Sequence, residues 1–242
     1  MTVLVEHRDG VVVVTINRPE VHNCVDSDTA DALEDAVRAF DASDDERVLV
    51  LTGAGGKAFC SGADLKHPPR LREAGPMGMS RLDVSKPTIA AIEGYCFAGG
   101  LELACWCDFR IAGESSEYGV LNRRWGVPLI DGGTQRLPRI VGGGNALYLI
   151  ETGVRIDAAT ALRMALVQEV VADGTALPRA LELAKSVASY PQASLVADRA
   201  SALLLDGIAA EAERGEPTLG IDEMREGLSR FRSGQRPEPP RA

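Results

Sequence analysis

The sequence predicts an α/β fold closed by a helical carboxy-terminal layer, and three observations carry that prediction. Short β-branched runs alternate with helix-patterned stretches through the first two thirds of the chain. Beyond about residue 142 nearly every segment favours helix. A hydrophobic content of 45% in 242 residues supplies one large core or two modest ones, which suits one main domain with an appendage.

Taken in order, TVLVEHRDGVVVVTIN reads as a hairpin, because two β-rich runs break at Asp9-Gly10, a pair suited to positive φ. Asp26, Ser27 and Asp28 then offer caps and first-turn charge to a helix whose apolar residues Ala30, Leu33, Val37 and Phe40 recur at helical spacing. RVLVLTG is a buried strand ending in glycine, and GAGGKAFCSGADLK reads as loop. The stretch from His67 to Ser80, rich in Pro, Gly, Arg and Met, has no periodicity and is expected to be mobile. KPTIAAIEG is another strand, AGGLELACWC a short and nearly all-apolar helix, and DFRIAG the strand after it. GGNALYLIETG, DAATALRMA, TALPRALELAKSVASY, QASLVADRASALLLDG and IAAEAERGEPTLGIDEMREGLSRF are all helical in pattern. These assignments divide the chain into a core domain over 1–190, a carboxy-terminal helical region over 191–232, and a Pro-rich tail over 233–242 expected to be disordered.

Composition removes several function classes. A net charge of −9 and a pI near 4.9 repel phosphate backbones, so no nucleic-acid partner is expected. No apolar run approaches the roughly 20 residues needed to cross a bilayer, and the amino terminus has no signal pattern, so no membrane partner is expected either. Five cysteines without a Cys-x-x-Cys pair and three scattered histidines suggest buried free thiols, neither a metal site nor a disulfide framework, and a reducing, cytoplasmic location.

Two glycine clusters carry the chemistry. Gly53-x-Gly55-x-x-Ala58 formally fits a dinucleotide fingerprint, but SGAD interrupts it where a long helix should begin. A phosphate-cradling loop fails as well, since Lys57 is followed by Ala58 where Ser or Thr is needed. Ala98-Gly99-Gly100 opens the helix carrying Glu102, and amides at a helix start are unpaired and sit at its positive end. A second N–H from the turn Ser61-Gly62-Ala63-Asp64 would complete a clamp on one carbonyl oxygen, though on pattern alone both are equally ordinary strand-to-helix turns.

FCSGADL (59–65), KPTIAAIEGYCFAGGLELACWCDFRIAGESSEYG (86–119) and GGTQRLPRIVG (132–142), in this order and spacing, resemble the enoyl-CoA hydratase/isomerase (crotonase) superfamily. The likeness runs from the opening hairpin and NRPEVHN (17–23) to ETGVRIDAATALRMALVQEVV (151–171), some two thirds of the chain. The resemblance implies a crotonase-like fold: repeated ββα units, two roughly perpendicular sheets, and carboxy-terminal helices that mediate a homotrimer or a hexamer of paired trimers. It implies an acyl-CoA thioester as substrate and no separate cofactor, coenzyme A entering as part of that substrate. It also implies that the N–H groups of Ala63 and Gly99 form an oxyanion hole for the thioester enolate, and that Ala63, Asp64, Leu65 and Lys66, with Gly99, line the coenzyme A channel.

Glu102 stands at the position of the family's first catalytic glutamate, among apolar neighbours that suggest burial and a raised pKa. The family's hydratases place a second glutamate 20 residues later, and that position here is Asn122, which cannot exchange a proton at neutral pH. Asp131, just ahead of GGTQRLP, is the nearest replacement acid, with capping of the following helix as the competing reading. Arg123 and Arg124 stay protonated and are left to bind a carboxylate, pair with an acid or face solvent, and Trp125 to wall an acyl pocket or pack in the core. The expected activity is hydration of a 2-enoyl-CoA, with Glu102, Asp131 and Asn122 as catalytic candidates. Enoyl-CoA isomerisation, C–C hydrolysis, thioester hydrolysis and coenzyme A binding without turnover remain open because of Asn122.

Overall fold

The structure is a computed structural model that describes residues 1–233; of the expected tail only Ser233 falls within the described residues. The amino-terminal hairpin is present as β1 (Val3–Arg8) and β2 (Val11–Ile16), antiparallel about a turn in which Asp9 and Gly10 both have positive φ. Helix α1 (Ser27–Ala42) follows, with the Asp26 carboxylate accepting the Thr29 N–H at 2.9 Å as its cap.

From there the strands come in pairs that separate. The first of each pair, β3 (Val48–Gly53), β5 (Thr88–Ile92) and β7 (Phe109–Gly113), joins the hairpin and the later β10 (Glu169–Val171) in one sheet of order β1-β2-β3-β5-β7-β10, parallel from β2 onward. The second of each pair, β4 (Ala58–Cys60), β6 (Tyr95–Phe97) and β8 (Glu117–Gly119), builds with the later β9 (Ile156–Asp157) a smaller sheet of order β4-β6-β8-β9. The repeated ββα plan is therefore visible in β1-β2-α1 and in β5-β6-α2, where α2 is Gly99–Trp106.

Alternation decides what each face of the large sheet meets. Val11, Val13, Val48, Val50, Ile89, Ala91 and Ile111 pack against the alanines at 176, 180, 184 and 188 of α6 (Ala176–Ala188), whose spacing of four puts them on one stripe. Val12, Val14, Ile16, Leu49, Leu51, Ala90 and Ile92 face the other way, into the core shared with α1 and α2. Helix α2 is buried along its whole length. Buried Arg110 closes its far end, donating to the carbonyls of Cys107 at 2.9 Å and Ala104 at 3.3 Å.

The carboxy-terminal part contains α3 (Gly133–Val141), α4 (Gly143–Thr152), α5 (Ala158–Arg163), α6, α7 (Gln192–Leu204), α8 (Ile208–Gly215) and α9 (Asp222–Arg232). It is not purely helical, as the pattern suggested: β9 (Ile156–Asp157) and β10 (Glu169–Val171) return to edge the two sheets. Strands of two or three residues are too short to show a period, which is why β4, β6, β8, β9 and β10 escape a sequence reading. Among the described residues no helix is long and apolar enough to cross a membrane.

Candidate active site

The two glycine turns meet. Gly62, at φ +99°, lies so close to the start of α2 that a Cβ on it would stand 3.0 Å from the Gly99 nitrogen and 3.1 Å from the Ala98 Cβ. The turn at 61–64 is fixed from behind by the 22–25 segment: Val25 N–H donates to Gly62 O, Asp64 N–H to Val25 O and Ser61 N–H to His22 O. Helix α2 is pressed onto β4 by Gly100, where a Cβ would fall 2.0 Å from Cys60 O. Its cap, Ala98, has φ +51° and ψ −122°, a strained backbone for an L-residue that costs about 1–3 kcal/mol. The amides of Ala63 and Gly99 have no hydrogen-bond partner among the described residues, and both residues line one cavity of about 390 Å³. The formal dinucleotide fingerprint dissolves here, since the turn after β3 runs directly into β4 and no helix follows it.

Glu102 lies one turn into α2, 3% exposed, and lines the same cavity. Its Oε1 accepts two main-chain N–H groups, from Asp131 at 2.9 Å and Gly133 at 2.8 Å. Burial pushes its pKa up to about 7; the Gly133 N–H pulls it down, and the neighbouring Asp131 carboxylate pushes it up again. Gly133 is required for this contact, because a Cβ there would meet Glu102 Cγ at 2.7 Å.

Asp131 is buried and does not cap α3, whose N-cap is Gly132 without any side-chain bond. Its Oδ1 instead accepts the Met77 N–H at 3.0 Å and the Ser80 hydroxyl. Met77 in turn covers the start of α2, its sulfur 2.7 Å from where a Gly99 Cβ would be. The second half of the stretch expected to be mobile, residues 74–80, is buried, and Asp131 ties Met77 and Ser80 within it, while most of residues 67–73 are exposed. Asn122 lies in a 3₁₀ turn, Leu121–Trp125, and lines the cavity; its Nδ2 donates to Val127 O at 2.7 Å and its buried Oδ1 has no partner among the described residues.

The remaining sequence candidates divide. Leu65 lines the cavity and is exposed at its edge, whereas Asp64 and Lys66 do not line it. Asp64 braces the turn: Oδ1 accepts the N–H groups of Lys66 and His67, and Oδ2 pairs with Arg18 at 3.0 Å. Burial alone would raise its pKa, but these donors hold it below the usual carboxylate value. Trp125 is at the cavity and exposed, not in the core. Arg123 donates to Ile150 O and Arg124 faces solvent, so neither pairs with Asp131. Met77, Ser80 and Gly133 were missed by sequence reasoning. The glycines at 75 and 78 on either side of Met77, both at positive φ, were the available signal that this stretch is tightly turned.

A buried acid that titrates near neutrality, a cavity that is otherwise largely apolar, and unpaired amides at its wall are the parts needed to move a proton next to an activated carbonyl. This is a crotonase-like fold. The chain belongs to the enoyl-CoA hydratase/isomerase family, whose sequence profile matches residues 6–237, and is an enzyme of that family. A crotonyl-CoA hydratase from Syntrophomonas wolfei is 34% identical over 244 residues, covering 95% of this chain and 94% of that protein. An (E)-benzylidenesuccinyl-CoA hydratase from Thauera aromatica is 36% identical, covering 84% and 83%. The crystal structure of enoyl-CoA hydratase EchA1 from Mycobacterium marinum superposes with a TM-score of 0.92 at 32% identity, covering 98% of each chain.

Proposed function

We propose that the protein hydrates a 2-enoyl-CoA, and the observation that carries this reading is Glu102, buried with a pKa near 7 in the cavity that the unpaired amides of Ala63 and Gly99 also line. The thioester oxygen accepts the N–H groups of Ala63 and Gly99, which hold the negative charge of the enolate, each contributing about 3 kcal/mol in the transition state. The Glu102 carboxylate takes a proton from water as hydroxide adds to C3, then returns a proton to C2, so one water is consumed and the glutamic acid is left ionised again. Asn122 contributes an acceptor lone pair beside this water and no proton. Relatives of similar identity are named for crotonyl and benzylidenesuccinyl substrates, so identity at this level leaves the acyl group open.

Isomerisation of a 3-enoyl-CoA is the second reading, favoured by one specific observation: Asn122 carries no acid, and in Asp131, the other acid lining the cavity beside Glu102, Oδ1 is bonded to Met77 and Ser80. Incubation with 2-enoyl- and 3-enoyl-CoA of matched length separates them. Formation of 3-hydroxyacyl-CoA from the 2-enoyl thioester supports hydration; double-bond movement without it transfers the assignment to isomerisation.

The bonds from Met77 and Ser80 to Asp131 support a positioning role for it in this reading. In Asp131→Asn the amide oxygen still accepts from Met77 and Ser80, while the charge that pushes the Glu102 pKa upward is removed. The expected result is activity within about tenfold of the parent and an inflection of kcat/KM that moves below pH 7; a loss of 100-fold or more, the scale of a missing acid or base, makes Asp131 catalytic.

An assembly into trimers or paired trimers belongs to this reading, and the exposed apolar residues Leu203, Leu204, Leu205 and Ile208 at the α7–α8 junction support it. Light scattering on the eluting protein measures it. All five cysteines are free thiols, four of them buried, as suits the proposed cytoplasmic location.

A further inference from the structure

Beside Glu102 the cavity is lined mainly by residues of the 68–77 and 121–130 segments, few of them polar, and among its lining residues Leu71, Trp125 and Leu65 are 82%, 71% and 58% exposed. Pro68, Pro69 and Pro128 stiffen these walls and offer no side-chain donor or acceptor. An exposed indole and two exposed leucines around the opening of one cavity form a clustered apolar patch, which marks a binding site more often than chance.

Size points the same way. At roughly 30 Å³ for each water-sized group, a cavity of about 390 Å³ accepts on the order of a dozen non-hydrogen atoms. A four-carbon acyl thioester fills about half of that. The polar pantetheine arm of coenzyme A is a poor occupant for walls of Pro, Leu, Val, Met and Trp, because its amides would lose their hydrogen bonds to water without replacement.

Resting on the acyl-CoA reading above, we propose that the site selects an extended apolar acyl chain, well beyond four carbons, whose far end is covered by Trp125 and Leu71. Trp125 is then the specificity-determining residue: it touches the distal carbons and leaves the reacting ones to Glu102. Each added methylene that reaches this surface tightens binding by up to about fourfold.

The test is calorimetric binding of saturated acyl-CoAs, which cannot be hydrated, to the full-length protein: butanoyl-, hexanoyl-, octanoyl- and decanoyl-CoA, with free coenzyme A as reference. Affinity is expected to rise by roughly 100-fold from butanoyl to decanoyl. Trp125→Ala and Leu71→Ala, both at exposed positions, are expected to lose tenfold or more of the decanoyl affinity with butanoyl unchanged and the melting temperature retained. An affinity that is flat or falls with chain length overturns the proposal while leaving the acyl-CoA reading intact; no acyl thioester binding tighter than free coenzyme A overturns both. A Trp125→Ala protein that changes oligomeric state but keeps the parental chain-length dependence assigns the indole to subunit contact and also overturns it.

Discussion

Glu102→Gln is expected to remove between about 100-fold and 10,000-fold of turnover and, at the same time, to make the protein harder to unfold at pH 8. The two effects share a cause. The acid is buried, so its folded-state pKa of about 7 stands above the ordinary 4.5. Between those values the folded chain holds a proton that the unfolded chain has released. Stability therefore falls as pH rises from about 4.5, and by pH 8 about 3 kcal/mol has been lost at this one site. Glutamine never ionises, and its carbonyl still accepts from Asp131 N–H and Gly133 N–H, so the variant keeps the contacts and escapes the loss. Melting curves at pH 4 and pH 8 check this: the variant and parent should coincide near pH 4 and separate by several degrees at pH 8. In the parent, kcat/KM should climb with pH through an inflection near 7, because the reacting form is the carboxylate. Undiminished hydration by Glu102→Gln, or identical melting at pH 8, would remove Glu102 from the centre of the mechanism. The stability lost at Glu102 is the counterpart of a proton affinity matched to neutral pH.

How much of this was legible in the sequence depends on the range of the interaction. Asp9-Gly10, the α1 stripe and the Asp26 cap are decided by neighbours within a few residues, and the structure agrees with each. Glu102 was legible as a buried acid because its own helix is apolar on every side. Asp131 was not, because its partners Met77 and Ser80 lie more than 50 residues away and the intervening chain has no period to read. The capping reading was the local answer; the real partners were distant ones. The approach of Gly62 to Gly99 is of the same kind: each glycine is a plain turn signal, and only the parallel pairing of β4 with β6 brings the two turns side by side. Short strands such as β4 and β6 are specified by the sheet they join more than by their own three residues.

Gly62→Ala tests that pairing directly. Gly62 has φ +99°, outside the region alanine tolerates, so the substitution costs about 1–3 kcal/mol and lowers the melting temperature. The added methyl also meets the Gly99 nitrogen at 3.0 Å and must push one turn away from the other. If the Ala63 and Gly99 amides converge on the thioester oxygen, even a shift of a few tenths of an ångström weakens the bonds that form fully only when charge reaches that oxygen. The loss then appears in kcat, about 100-fold to 1,000-fold for one donor, with much less change in KM. Binding of a saturated acyl-CoA is expected to stay within about tenfold, which separates a displaced donor from a collapsed cavity. A Gly62→Ala protein that melts lower yet retains parental kcat would mean that the strain is felt while the amides are not used, and the charge of the enolate would need another holder. A loss carried wholly by KM would place the turn at coenzyme A and away from the reacting carbonyl. Only a fall in kcat with binding preserved matches two amides, held apart by nothing larger than a glycine, acting on one oxygen.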